Sequence, residues 1–192
     1  VMAVVYTMRI RWLNKFTLGK DRSAPGNPKV TNAKKGGRYS LGNVFMPWAM
    51  ESTRNNIPFY LTFVIFHLGV VAGITLAFMS TIYRPMYSIP AVAWISGGTI
   101  AAAFLVALYR IVRRVGRPVM RLISSPDDYF SLFLLTVWFA VGAMTQAHLA
   151  GVERFQSEMY LIVYLLLTSF FLLYVPFSKI SHYLYYPFTR YW

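Results

Sequence analysis

The stretch IPFYLTFVIFHLGVVAGITLAFMSTI, residues 57–82, carries no charged side chain from end to end, and its one imidazole is His67. Crossing a hydrocarbon core takes roughly 20 apolar residues in a helix, so this segment by itself places the chain in a bilayer. Three further stretches meet the same requirement: Ile89–Tyr109, Tyr129–Ala150 and Met159–His182. The second contains Gly97 and Gly98, small residues that let helices approach closely. The third holds Gln146 and His148 as its strongly polar side chains, and the fourth ends in Phe177-Ser178-Lys179-Ile180-Ser181-His182. An all-α integral membrane bundle is expected, with four complete spans.

Composition agrees. Of the 192 residues 57% are hydrophobic and 18% aromatic, with a mean hydropathy of +0.47, above the usual range of a soluble domain. There is no cysteine, which excludes a disulfide framework and a thiolate-held iron–sulfur cluster in this chain. The net charge of +13 could suggest nucleic acid, but it follows the loops and no aromatic-basic recognition motif accompanies it.

Loop charge sets orientation, because Lys and Arg stay on the cytoplasmic side of short connections. Ten basic residues lie between Arg9 and Arg54 against Asp21 and Glu51, and Arg110, Arg113, Arg114, Arg117 and Arg121 crowd the connection between the second and third stretches. Both are assigned to the cytoplasm, as is the C-terminus with Lys179 and Arg190. The other connections carry Arg84 and Arg154 alone and are external. This topology fits a bacterial or archaeal cytoplasmic membrane protein surrounded by lipid, with no nucleic-acid partner.

Three regions follow. Residues 1–8 are apolar but too short to span and read as the end of a first transmembrane helix. A cleaved signal peptide is the competing reading, but it would leave its mature end outside, against the basic loop that follows. Residues 9–56 form a basic cytoplasmic loop. One part is rich in Gly, Pro and Lys (Ala24-Pro25-Gly26-Asn27-Pro28, Lys34-Lys35-Gly36-Gly37), and an aromatic part contains Phe45-Met46-Pro47-Trp48. A loop of that length is expected to bind something, with a cytoplasmic subunit as the candidate. Residues 57–192 form the four-span bundle with a short cytoplasmic tail. Asn56 before Ile57-Pro58, and Ser125-Pro126-Asp127-Asp128, are helix-start signals. Capping therefore accounts for the paired carboxylates of Asp127 and Asp128 without catalysis.

The chemistry rests on the histidines. His67 lies roughly 15 Å along a helix that starts inside, and His182 closes the last stretch at its inner end. Neutral imidazoles are axial ligands for haem, and two of them leave no open position, which suits electron transfer. Plain helix–helix hydrogen bonding is the alternative for both. Lys179 is a candidate contact for a haem propionate, or a snorkelling lysine. His148 sits at the outer end of the third stretch near Gln146, Glu153, Glu158 and Tyr164. It is a candidate for a quinone head group, for an alternative iron ligand with Met79 or Met144, or for an ordinary interfacial residue. The spacing Gly69-x-x-x-Gly73 suggests a packing groove.

Two segments, Phe66-His67-Leu68-Gly69 and Tyr174-Val175-Pro176-Phe177-Ser178-Lys179-Ile180-Ser181-His182, resemble those of the gamma subunit of respiratory nitrate reductase. That subunit belongs to a membrane cytochrome b family that includes subunits of sulfate-reduction and heterodisulfide-reductase-type complexes. The resemblance implies a five-helix bundle with two b haems held by four histidines, the inner pair corresponding to His67 and His182. The positions of the outer pair are Ala77 and Tyr164 here, so the resemblance implies one haem b. It also implies exchange of electrons with quinone or menaquinone and with a cytoplasmic iron–sulfur subunit of a larger complex. The chain would then be an electron-transfer subunit rather than a catalyst alone. A haem-free membrane anchor of a respiratory complex is the alternative, and a small transporter is disfavoured because the spans contain no acidic residue and no evident inverted repeat.

Overall fold

A computed structural model describes residues 2–13, 15, 38, 42 and 51–182. The Gly/Pro/Lys-rich and Phe45–Trp48 parts of the basic loop lie outside the described residues. Among those described the chain is all-α: helices α1 (Met2–Leu13), α2 (Glu51–Arg54), α3 (Ile57–Ile82), α4 (Pro90–Gly116), α5 (Pro118–Leu122), α6 (Pro126–Leu149) and α7 (Met159–Tyr174). Tight turns occupy Arg84–Ser88, Glu153–Phe155, Val175–Phe177 and Lys179–Ser181. Four segments, Ile57–Ile82, Pro90–Gly116, Pro126–Leu149 and Met159–Phe177, are long and apolar enough to cross a membrane. The protein is a multi-pass membrane protein.

Local chemistry sets the helix ends. Pro90, Pro118 and Pro126 each occupy the first turn of a helix, where the missing N–H costs nothing because that donor has no intrahelical acceptor. At the start of α6, Asp128 Oδ2 accepts from the Ser125 backbone N–H and from its hydroxyl, both at 2.8 Å. Asp127 Oδ1 accepts from the Tyr174 hydroxyl at 2.6 Å, and Ser131 lies 2.9 Å from that oxygen. The carboxylates cap and brace the helix.

Two boundaries differ from the sequence expectation. Helix α4 runs beyond Tyr109 to Gly116 and takes in Arg110, Arg113 and Arg114, because arginine is a good helix former and the long stems of Arg113 and Arg114 can carry their charge toward water. Helix α7 stops at Tyr174 rather than continuing to His182. Pro176 cannot continue the backbone ladder, and Ser178 accepts the N–H of Ile180 at 3.2 Å to open a new short turn.

The chain divides into two compact bodies, residues 61–174 and residues 1–60 with 175–192. In the first, small residues bring the spans together. A Cβ placed on Gly69 would run into the Cβ of Ala103 on α4, and one on Gly73 would run into the Trp138 ring on α6. Ile100, Ala103 and Ala107 form a fully buried stripe on α4. The core is aromatic: Phe139 meets Phe66 edge-on at 5.4 Å, and Trp138 stacks on Tyr164 at 5.6 Å with 16° between the rings. Trp138 donates to Thr168 at 2.9 Å and Tyr164 donates to the Gly73 carbonyl at 2.8 Å, so the polar tips are satisfied in a medium without water. Large apolar side chains such as Val71, Leu105 and Leu166 are exposed, as a lipid-facing surface requires. In the second body, the Arg9 guanidinium lies 5.4 Å over the Phe177 ring.

Candidate functional site

His67 is part-buried on α3 in the first body. Its Nδ1 lies 2.8 Å from the Phe63 carbonyl one turn back, and its ring sits 4.1 Å from that of Phe63. A carbonyl oxygen only accepts, so Nδ1 carries the proton and Nε2 the lone pair of the neutral ring. Gly69 and Gly73 face α4 and α6 instead, as a packing groove.

His182, in the second body, is exposed and follows the Lys179–Ser181 turn. Its Nδ1 lies 3.1 Å from the Lys179 carbonyl, which fixes the same tautomer. Lys179 is exposed on that turn. Each of these two histidines therefore presents Nε2 as its basic nitrogen.

His148 is arranged differently. Its Nδ1 faces the Phe155 carbonyl at 2.8 Å, and its Nε2 accepts from Arg84 Nη2 at 3.0 Å. Arg84 also donates to Glu158 at 2.7 Å, and the second Glu158 oxygen lies 3.4 Å from His148 Nε2. The Arg84 hydrogen bond holds the Glu158 carboxyl below its ordinary value. This three-residue clasp ties the turn after α3 to the loop before α7 and already uses the lone pair of His148. Glu158 thus joins His148 as the sequence suggested, whereas Tyr164 turns away into the core and Glu153 is exposed.

Beneath the clasp two polar groups are buried without a hydrogen-bond partner among the described residues. Both amide atoms of Gln146 and the hydroxyl of Tyr87 are in this state, at 2% and 1% exposure. Gln146 lies against α4, its Cγ 3.2 Å from where a Cβ on Gly97 would stand. Burial pushes the Tyr87 phenol above its ordinary pKa. At the opposite, arginine-rich end of the bundle, the Arg110 guanidinium lies 4.4 Å over the Phe66 ring.

Sequence reasoning missed three of these residues. Arg84 was read as a lone loop charge, yet it meets residues 64 and 74 positions away. Tyr87 drew no reading from the sequence, and Arg110 counted as one more topology signal. The one available hint was for Arg84, a single cation in a loop opposite the acidic Glu158.

These features define a multi-pass α-helical membrane protein with His67 and His182 each turning Nδ1 onto a backbone carbonyl and with the polar atoms of Gln146 and Tyr87 buried without a partner among the described residues. Over 159 residues the chain is 24% identical to a protein of Nitratidesulfovibrio vulgaris designated only "Protein", covering 81% of this chain and 68% of that one. No family model matches the chain, and no solved structure matches it.

Proposed function

We propose that the chain is the membrane cytochrome b subunit of a quinol-linked oxidoreductase complex. It passes electrons between the quinone pool and a cytoplasmic iron–sulfur partner through one haem b. The observation that carries this reading is the tautomer shared by His67 and His182. In each, Nδ1–H is turned onto a carbonyl of its own helix or turn, which orients the ring and makes Nε2 the donor to a metal. A bound haem supplies one-electron redox chemistry, and bis-imidazole ligation leaves no site for oxygen. In this reading His67 and His182 would hold the iron, and Lys179 would be a candidate contact for a propionate.

Packing supports a single haem. Ala77 and Tyr164, at the positions where the resembling family has its second pair of histidines, are 4% and 0% exposed. Trp138 is stacked on Tyr164, so side chains fill that half of the bundle. His148 is engaged by Arg84 and adds no ligand. Gln146 and Tyr87 instead offer buried donor and acceptor atoms without partners among the described residues, of a kind that suits a quinone head group. The basic ends face the cytoplasm and the Arg84–Glu158 clasp faces outward.

Reduced-minus-oxidised spectra of the purified complex test the reading. A b-type band is expected, and it should vanish in His67→Ala and in His182→Ala. A wild-type preparation without haem would overturn the proposal in favour of a haem-free anchor.

A further inference from the structure

Arg110 is a cation inside a membrane-spanning helix, and among the described residues no carboxylate pairs with it. It lies on α4 beyond the fully buried Ala103 and Ala107, with its guanidinium stacked on Phe66 and its Nε buried without a hydrogen-bond partner. Among the described residues no ion pair includes it. The acids at this end of the bundle are engaged elsewhere. Asp128 holds the Ser125 cap and stands 3.8 Å from Arg114, and Asp127 accepts from Tyr174. A charge at this depth is costly unless it is paired, and an arginine with an unsatisfied N–H is complementary to a carboxylate or a phosphate.

Position selects between those anions. Phe66 is the neighbour shared by Arg110 and His67: the guanidinium carbon is 4.4 Å from its ring centroid and the imidazole centroid is 6.0 Å from it. A lipid phosphate would approach from the headgroup layer, where Arg113, Arg114 and Arg117 compete for it. Arg110 stands deeper, on the ring beside the proposed iron ligand. A porphyrin held by His67 would bring carboxylates that need a cation, and Arg110 shares the Phe66 ring with that histidine.

We propose that Arg110 holds a propionate carboxylate of the haem, positioning the cofactor in addition to its axial ligands. This inference rests on the cytochrome reading above. Removing the cation makes gain of an electron by the nearby iron less favourable, so its loss lowers the midpoint potential.

The test uses the full chain produced in the membranes of a haem-auxotrophic host supplied with haem or with haem dimethyl ester, which lacks the carboxylates. Wild type should take up haem at least tenfold better than the ester. In R110Q that preference should collapse and the midpoint potential of the bound haem should fall, whereas R110K should restore part of both and R113Q should change neither. An R110Q variant that keeps the full preference and potential would overturn the assignment. So would wild-type protein that accepts both cofactors equally, an outcome that requires no variant to fold. Wild-type protein that takes up neither would defeat the cytochrome reading, and the role of Arg110 with it.

Discussion

Gly73→Ala adds one methyl group where α3 packs tightly against α6 and α7, and its cost can be worked out from the neighbours. The new Cβ would collide with the Trp138 ring, whose second-nearest atom would be 2.8 Å away, and would stand 3.0 Å from the Tyr164 hydroxyl. Neither neighbour yields easily. Trp138 is tied to Thr168 through its indole N–H and stacked on Tyr164, and the Tyr164 hydroxyl is bonded to the Gly73 carbonyl itself. Forcing one methylene-sized group into such a core costs about 1–3 kcal/mol, and separating Tyr164 from its carbonyl acceptor would add about 1 kcal/mol. Against this, alanine is favoured over glycine within a helix by about 0.5–1 kcal/mol. The net expectation is a loss of about 1–3 kcal/mol, roughly a five- to 150-fold shift toward the unfolded state at 1.4 kcal/mol per decade. Gly98→Ala supplies the control, since a Cβ there meets nothing within 4 Å and only the helix-propensity gain remains. Reversible unfolding in mixed micelles, followed by tryptophan fluorescence, measures both variants. The reasoning fails if G73A unfolds with wild-type stability, or if G98A is destabilised as much as G73A.

The Arg84–Glu158 clasp should respond to acid. Because the Glu158 carboxyl is held below its ordinary value of 4.5, its contribution is present above that pH and is lost as pH falls through the lowered folded value. Proteolysis of the loop between α6 and α7 should therefore quicken at acid pH in wild type but not in Glu158→Gln, and equal acid sensitivity in both would disprove the link. Asp128→Ala removes both cap bonds to Ser125 and should cost about 0.5–2 kcal/mol, checked by the same unfolding assay. Asp127→Ala leaves those cap bonds in place and removes the Tyr174 brace. A larger effect at Asp127 than at Asp128 would show that the brace matters more than the cap.

Much of the fold was legible in the hydrophobic pattern. Span α3 was bounded correctly at Ile57 and Ile82 because apolar length alone decides it, with polar or turn-forming residues at each side. The ends of α4 and α7 were misjudged for opposite reasons. Charge does not by itself end a helix of good helix formers, so α4 continues through Arg110, Arg113 and Arg114, whereas Pro176 and Ser178 end α7 although the sequence stays largely apolar. The histidines were conspicuous because ionisable groups are rare in such segments. Their differences were not visible, since the partner of His148 is 64 residues away in the chain and that of His67 is one turn back.

Sequence alone determined that this chain lives in a membrane, that it does so as helices, and which residues are too polar to be there without cause. Those outcomes depend on composition and on the length of apolar runs, which act locally and need no knowledge of neighbours. Tertiary structure decided which of those polar residues are already satisfied. His148 is committed to Arg84 and Phe155, and Tyr164 is buried in the core on the Gly73 carbonyl. Gln146, Tyr87 and Arg110 instead keep polar atoms buried without partners among the described residues. A hydrogen bond is made or left unmade over about 3 Å, and only the packing of distant segments sets distances on that scale.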